Sequence, residues 1–151
     1  MTLCDMSKSP LVSLGYEGRS VDELVARLLS KSVTVLVDVR LTPLSRKPGL
    51  SKRKLAESLN AAGIGYLHLR ALGNPRDNRA PFRTGSAHSH ASYREHIATP
   101  EGEQALKKVA ELLEDETVAL LCFERDHLAC HRHLVAVELQ RVEPTLDLIR
   151  L

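Results

Sequence analysis

The sequence predicts an α/β fold of three layers, with a mostly parallel sheet of four to five strands and helices on both faces. Three observations predict it. Short apolar runs alternate with segments of helical periodicity along most of the chain. Two of those runs, VTVLVDV and TVALLCF, are continuously apolar and rich in β-branched residues, as parallel strands buried on both faces should be. The polar, chemistry-bearing motifs directly follow strands, which is where open α/β sheets bind ligands.

The elements follow in order. Residues 1–10 are polar and read as a loose tail, leaving 11–151 as a single α/β domain. Leu11–Gly15 is the first strand. Val21, Leu24, Val25, Leu28 and Leu29 keep the spacing of an amphipathic helix, opened by a capping box of Ser20 and Glu23. Val33–Val39 is the second strand. Ser51 is placed to cap a helix that reaches Ala62 and stops at Gly63. Gly65–Leu69 is the third strand. The stretch from there to Ala91, rich in Gly, Pro, Asn and Arg, reads as a long functional loop, and Ala91–Ala98 as a short helix. Thr99-Pro100-Glu101 opens a helix running to Asp115, with Leu106, Val109, Ala110 and Leu113 inward. Thr117–Phe123 is the fourth strand, Cys130–Val142 a helix, and Leu146–Leu151 a short last strand. This alternation predicts a Rossmann-like or flavodoxin-like sheet of order 3-2-1-4-5, with a topological switch point between strands one and four.

Composition narrows the function classes. The chain has 151 residues, enough to fold without disulfides or metal. It has no Trp, three Tyr and two Phe, too few for a multi-aromatic platform that stacks bases. No apolar run approaches the roughly 20 residues needed to span a bilayer. MTLCDMSKSP shows no secretory pattern, so a cytoplasmic protein with three reduced cysteines is expected. The net charge of +2 conceals an asymmetry. Residues 40–94 hold eight Arg and three Lys against Glu57 and Asp77. A basic, Arg-rich segment on a near-neutral chain points to an anionic partner, either a small molecule or nucleic acid.

Three motifs carry the chemistry. GYEGRS, residues 15–20, ends the first strand in a tight turn, with Glu17 and Arg19 near a helix N-terminus that can accept an anion. It matches neither a dinucleotide fingerprint nor a phosphate-loop lysine motif, and no cofactor is expected. At the end of the second strand, Asp38 and Arg40 share a face, so Asp38 could orient Arg40 or accept a proton, and the alternative is a buried ion pair that helps fix the fold. The densest stretch is LLCFERDHLACHR, residues 120–132. Cys122 and Glu124 lie on one side of the fourth strand. Cys130 stands at an expected helix start beside His131 and Arg132, where a thiol pKa falls, which makes it the better nucleophile candidate. Cys122 alone also fits an inert buried thiol. A cysteine phosphatase needs Arg six places after its Cys, but Leu128 and Ala136 stand there. Zinc could draw on Cys122, His127, Cys130 and His131, but the short paired spacings of structural zinc motifs are missing, so no metal is expected. His88 and His90 read as polar loop residues.

Taken together, GYEGRS, VDVR with PLSRKPGLSK, GIGYLHL with LGNPR, SYREHIATPEG and LLCFERDHLACHRHLVAVEL resemble the bacterial and archaeal family known as domain of unknown function 488. The resemblance spans about residues 11–142. It implies a small cytoplasmic α/β domain and supplies no settled activity. The family pattern carries over to Glu17, Arg19, Asp38, Arg40, Ser45, Arg46, His68, Cys122, Glu124, Cys130, His131 and Arg132. This chain departs from it at Leu50, where the family usually has an aromatic, at Ile149-Arg150, where a His is common, and in the SAHSHA insert. The expected function is an enzyme acting on an anionic, phosphate-bearing substrate such as a nucleotide or nucleic acid. Arg19, Arg40, Arg46 and Arg132 would be its clamp, with Glu17 and His68 beside them. Cys130, His131, Glu124, Cys122 and Asp38 would be its chemical groups. The alternatives are a non-catalytic nucleic-acid-binding module and a thiol redox protein.

Overall fold

A computed structural model describes residues 9–151. The expected tail, 1–10, falls almost wholly outside the described residues. Five strands form one all-parallel sheet: β1 (Leu11–Gly15), β2 (Val35–Asp38), β3 (Gly65–His68), β4 (Val118–Cys122) and β5 (Leu148–Arg150). Six helices accompany them among the described residues: α1 (Val21–Ser30), α2 (Lys52–Ala61), α3 (Arg79–Arg83), α4 (Ala87–Ile97), α5 (Pro100–Asp115) and α6 (Arg132–Val142).

Strand alternation splits the core into two layers. Val12, Leu14, Leu36, Ala119 and Leu121 face Leu24 and Leu28 of α1 and Leu55 and Leu59 of α2. Leu11, Val37, Val118, Leu120 and Cys122 face the other way, against Tyr93, Val109, Leu134, Val135 and Leu139 of α4, α5 and α6. The predicted caps hold at two of three helices. Ser20 accepts from the Glu23 N–H, and Thr99 accepts from the Gly102 N–H behind Pro100. Ser51 precedes α2 but makes no cap bond. Its hydroxyl instead accepts from the Ser45 N–H and donates to the Ser45 carbonyl, closing the loop that follows β2.

Three expectations are corrected. The strand order is β3-β2-β4-β1-β5, not 3-2-1-4-5. The fourth strand lies between the first two, where both of its edges and both faces are covered and every residue of VALLC is buried. Because β4 adjoins both β1 and β2, the carboxyl ends of these three strands remain neighbours. The switch is not confined to β1 and β4 as expected: the chain leaves both β1 and β2 over the face of α1 and α2 and leaves β4 over the face of α6, so the connections diverge on both sides of β4. The segment after β3 is not a long loop. Two 3-10 turns, Arg70–Leu72 and Arg76–Asn78, lead into α3, and α4 starts at Ala87 rather than Ala91. Buried Phe82 anchors α3, and Ser86 caps α4 by accepting from the Ser89 N–H. His88 and His90 therefore lie on a helix, with His90 stacked on Phe82 at 4.1 Å. Lastly, α6 begins at Arg132. Cys130 is extended (φ −119°, ψ 149°) at the end of a 3-10 turn, His127–Ala129, so it precedes the helix instead of sitting in its first turn.

Under β1 lies a buried polar chain. The Arg132 Nε donates to Ser13 Oγ at 2.8 Å, and Ser13 Oγ lies 2.6 Å from His127 Nδ1. The surroundings of His127 favour its neutral form. Burial, then the Arg132 charge, pushes its pKa down to about 4 from 6.5. The unfolded chain takes up this proton first, so stability present above pH 6.5 is lost as pH falls from 6.5 toward 4. Melting temperature should fall across that window, and His127→Gln should flatten the fall. An unchanged slope in the variant would remove His127 from the account.

Candidate active site

The site sits where the carboxyl ends of β1, β2 and β4 meet. Register sets Gly15 opposite Cys122, and Asp38 opposite Leu121. Two glycines bring the surrounding loops close. A Cβ on Gly15 would stand 1.9 Å from the Glu124 carbonyl oxygen, and one on Gly73 would stand 2.4 Å from Leu41 Cα. Only glycine lets the loop after β4 cross over β1, and lets the Asn74 segment lie against the loop after β2. These approaches shape a cleft of about 240 Å³, lined by Tyr16, Arg40, Asn74, Arg79, Arg83, Cys122, Phe123, Glu124 and His131, among others.

Cys122 and His131 stand in one wall of the cleft, with Cys130 behind them. The His131 Nε2 lies 2.7 Å from the Val39 carbonyl. A carbonyl only accepts, so Nε2 carries a proton and Nδ1 is the nitrogen turned toward the sulfurs. Nδ1 is 3.6 Å from Cys130 Sγ and 4.0 Å from Cys122 Sγ. The two thiols differ in setting. A hydrogen bond from Cys130, with His131 nearby, pulls the Cys122 thiol well below its ordinary pKa despite its burial. Burial, with Cys122 beside it, pushes the Cys130 thiol well up. Burial works against the His131 cation, but the Cys122 sulfur, the Val39 carbonyl and Glu124 together outweigh it and raise the imidazole pKa. Cys122 lines the cleft and Cys130 does not, being only 1% exposed. The sequence preference for Cys130 rested on a helix start that lies two residues further on.

Glu124 accepts from Arg83 Nε at 3.0 Å. Desolvation opposes its charge, but its own backbone N–H and Arg83 hold the carboxyl below its ordinary pKa, which suits a base or a charge partner better than a proton donor. Asp38 is fully buried behind Arg40. Its two oxygens accept from Arg40 Nε at 2.9 Å and Nη2 at 2.7 Å. Arg40 is thus a cleft residue held rigid by its carboxylate.

The remaining expected residues do not reach the cleft wall. Arg132, expected in the clamp, is 1% exposed and donates to Ser13 Oγ and to the Glu124 carbonyl. Arg19 is buried, with Nε and Nη1 lacking partners. Arg46 is exposed. Glu17 accepts from the Arg125 N–H, and His68 Nε2 bonds the Arg40 carbonyl. Ser45 Oγ accepts from the Lys47 N–H. In their place the fold supplies Arg79 and Arg83, one helical turn apart on α3, together with Asn74. Arg79 donates from Nε to the Asn74 carbonyl and has no carboxylate partner among the described residues. Their i, i+4 spacing was readable, but only if residues 79–83 were seen as helix.

The sequence model of the family described as Domain of unknown function DUF488 matches residues 20–139. The chain belongs to that family. Within this DUF488 domain the match takes in β2 through β4, the Cys122–Cys130–His131 cluster and α3, while β1 with Tyr16 lies just outside it. No curated protein and no solved structure matches the chain significantly. No helix among the described residues is long and apolar enough to cross a membrane.

Proposed function

We propose that the cleft is the active site of an enzyme that transfers a group from an anionic, phosphate-bearing substrate. The observation that carries this reading is the convergence, on one small cleft, of Cys122 and His131 with three guanidinium groups. Arg79 and Arg83 bind the anionic group, and Arg40, locked by Asp38, provides a fixed wall of donors. Arg has the planar fork that suits phosphate oxygens. The Cys122 thiol proton passes to His131 Nδ1. The thiolate then donates an electron pair to the electrophilic atom of the substrate, whose leaving group departs with the bonding pair and takes the proton back from His131. Glu124 holds Arg83 in position. The cleft volume suits a small phosphate ester or one nucleotide better than a duplex.

Alkylation in parallel with iodoacetate and with iodoacetamide tests this, because the two reagents differ mainly in charge. Cys122 should react before Cys130. Its preference for the anionic reagent should exceed that of Cys4 by roughly tenfold at low salt. Inorganic phosphate should slow the reaction, and the pair Arg79→Gln with Arg83→Gln should abolish the preference. An inert Cys122, or equal reagent ratios at Cys122 and Cys4, would overturn the reading.

A further inference from the structure

We propose that Cys122, Cys130 and His131 together bind one thiophilic divalent cation of the zinc class, with the fourth coordination position open to the cleft. Among the described residues this is the one group of three or more potential ligands, with all three donor atoms within 4.8 Å of one another. A tetrahedral cation at ordinary zinc–sulfur and zinc–nitrogen distances sets sulfur and nitrogen roughly 3.6 Å apart. The Cys130–His131 separation is 3.6 Å, and the Cys122–His131 separation of 4.0 Å closes with a small side-chain rotation. The wider sequence spacing, which argues against a structural zinc motif, does not bear on this geometry, because β4 and the following turn bring the ligands together in space.

The support behind the ligands is already built. His131 donates its Nε2–H to the Val39 carbonyl, the hydrogen bond that commonly fixes a metal-binding imidazole and leaves Nδ1 free. Val39 in turn is anchored by its own N–H to the Leu121 carbonyl at the end of β4. Two sulfurs and one imidazole form a soft to borderline donor set, which selects zinc-like cations over magnesium or calcium. Two thiolates and a dication cancel, so the loaded centre carries no net charge in a buried place. Loading releases two protons to solvent, one from each thiol or one from Cys130 and one from the imidazolium. Cys122 and His131 line the cleft whereas Cys130 lies behind them, so the open position faces the cleft beside Arg40 and Glu124. Water or a substrate oxygen would complete the coordination there. A bound cation uses the Cys122 lone pair, so the metal masks the thiol proposed above as nucleophile. The masking role rests on that reading; the binding site itself does not.

The test is titration of the reduced full-length protein with cobalt(II) as a spectroscopic probe, followed by displacement with zinc. One equivalent should produce the intense visible bands of tetrahedral cobalt, with a thiolate-to-cobalt charge-transfer band in the near ultraviolet. Cys122→Ser should weaken binding by at least about tenfold and reduce the charge-transfer band. Cys4→Ser should change neither. Because substitution of buried Cys130 risks the fold, wild-type protein provides a second readout: zinc should protect both Cys122 and Cys130, but not Cys4, from alkylation. A weak octahedral spectrum, a signal that survives Cys122→Ser, or alkylation of Cys122 unaffected by zinc would overturn the site. Rapid alkylation of metal-free Cys122 without metal binding sinks this inference alone. Tight binding with an inert metal-free Cys122 sinks the nucleophile reading alone.

Discussion

Asp38→Asn and Arg40→Gln should each lower the unfolding free energy by about 3–5 kcal/mol, the range for breaking one partner out of a buried ion pair. Asp38 is fully buried, and its oxygens accept four hydrogen bonds: the Arg40 N–H, Nε and Nη2, and the Tyr66 hydroxyl at 2.5 Å. Burial, then the bond to Asp38, raises the Tyr66 phenol pKa, so the phenol stays protonated and keeps donating. Arg40 uses its remaining nitrogen, Nη1, on the Leu50 carbonyl at 2.7 Å, which ties the loop after β2 to the start of α2. Either replacement leaves a buried charge without its partner. The melting temperature should fall by roughly 10 °C, at about 2–4 °C per kcal/mol for a chain of this size. Replacing both residues together, Asp38→Leu with Arg40→Met, should cost less than either single change, because no charge is stranded. Single variants that melt within two or so degrees of wild type would show that the pair is not structural.

Arg132→Gln should be nearly as damaging, for a different reason. Arg132 has no carboxylate partner among the described residues. Its guanidinium is held by neutral acceptors, Ser13 Oγ and the Glu124 carbonyl at 2.7 Å. Charge-assisted bonds of this kind contribute roughly 1.5–3 kcal/mol each, and relief from burying the charge offsets part of their loss. A net cost of about 3 kcal/mol is expected. The second consequence is electrostatic. Arg132 is the largest charged contributor holding the His127 pKa near 4, so in Arg132→Gln that value should climb toward 6.5. Nuclear magnetic resonance titration of His127 reads this directly. A folded variant with an unmoved His127 and full stability would show that the buried guanidinium does nothing for the fold. The Glu124 carbonyl is also the atom that crosses Gly15, so the variant should loosen the β4–α6 turn and slow the preferred reaction of Cys122 with iodoacetate.

What could be read from the chain alone was local. Continuous apolar runs such as VALLC marked strands buried on both faces. Ser20 with Glu23, and Thr99 with Pro100, marked two helix starts that the structure keeps. The parallel α/β class followed from that alternation, and the motifs after β1, β2 and β4 do come together beside one cleft. Asp38 with Arg40 was legible as a pair, because side chains two apart on a strand share a face.

Order within the sheet was not legible, because hydrophobic periodicity records which faces are buried and not which strands are neighbours. The insertion of β4 between β1 and β2 depends on edge burial summed over the whole sheet. Tertiary packing also decided the site's membership. Arg79 and Arg83 enter the cleft only because Phe82 buries itself and turns a segment rich in Pro and Arg into a helix. Arg132 leaves it because a backbone carbonyl and a hydroxyl 119 positions away capture its guanidinium. Exposure ranked the two cysteines in the reverse of their sequence context. Cys130 has cationic neighbours along the chain, yet it sits behind Cys122, and the thiol that lines the cleft is the one whose pKa falls. A thiol's reactivity depends on the dielectric and the partners around it in space, and those exist only once distant strands and turns have packed together.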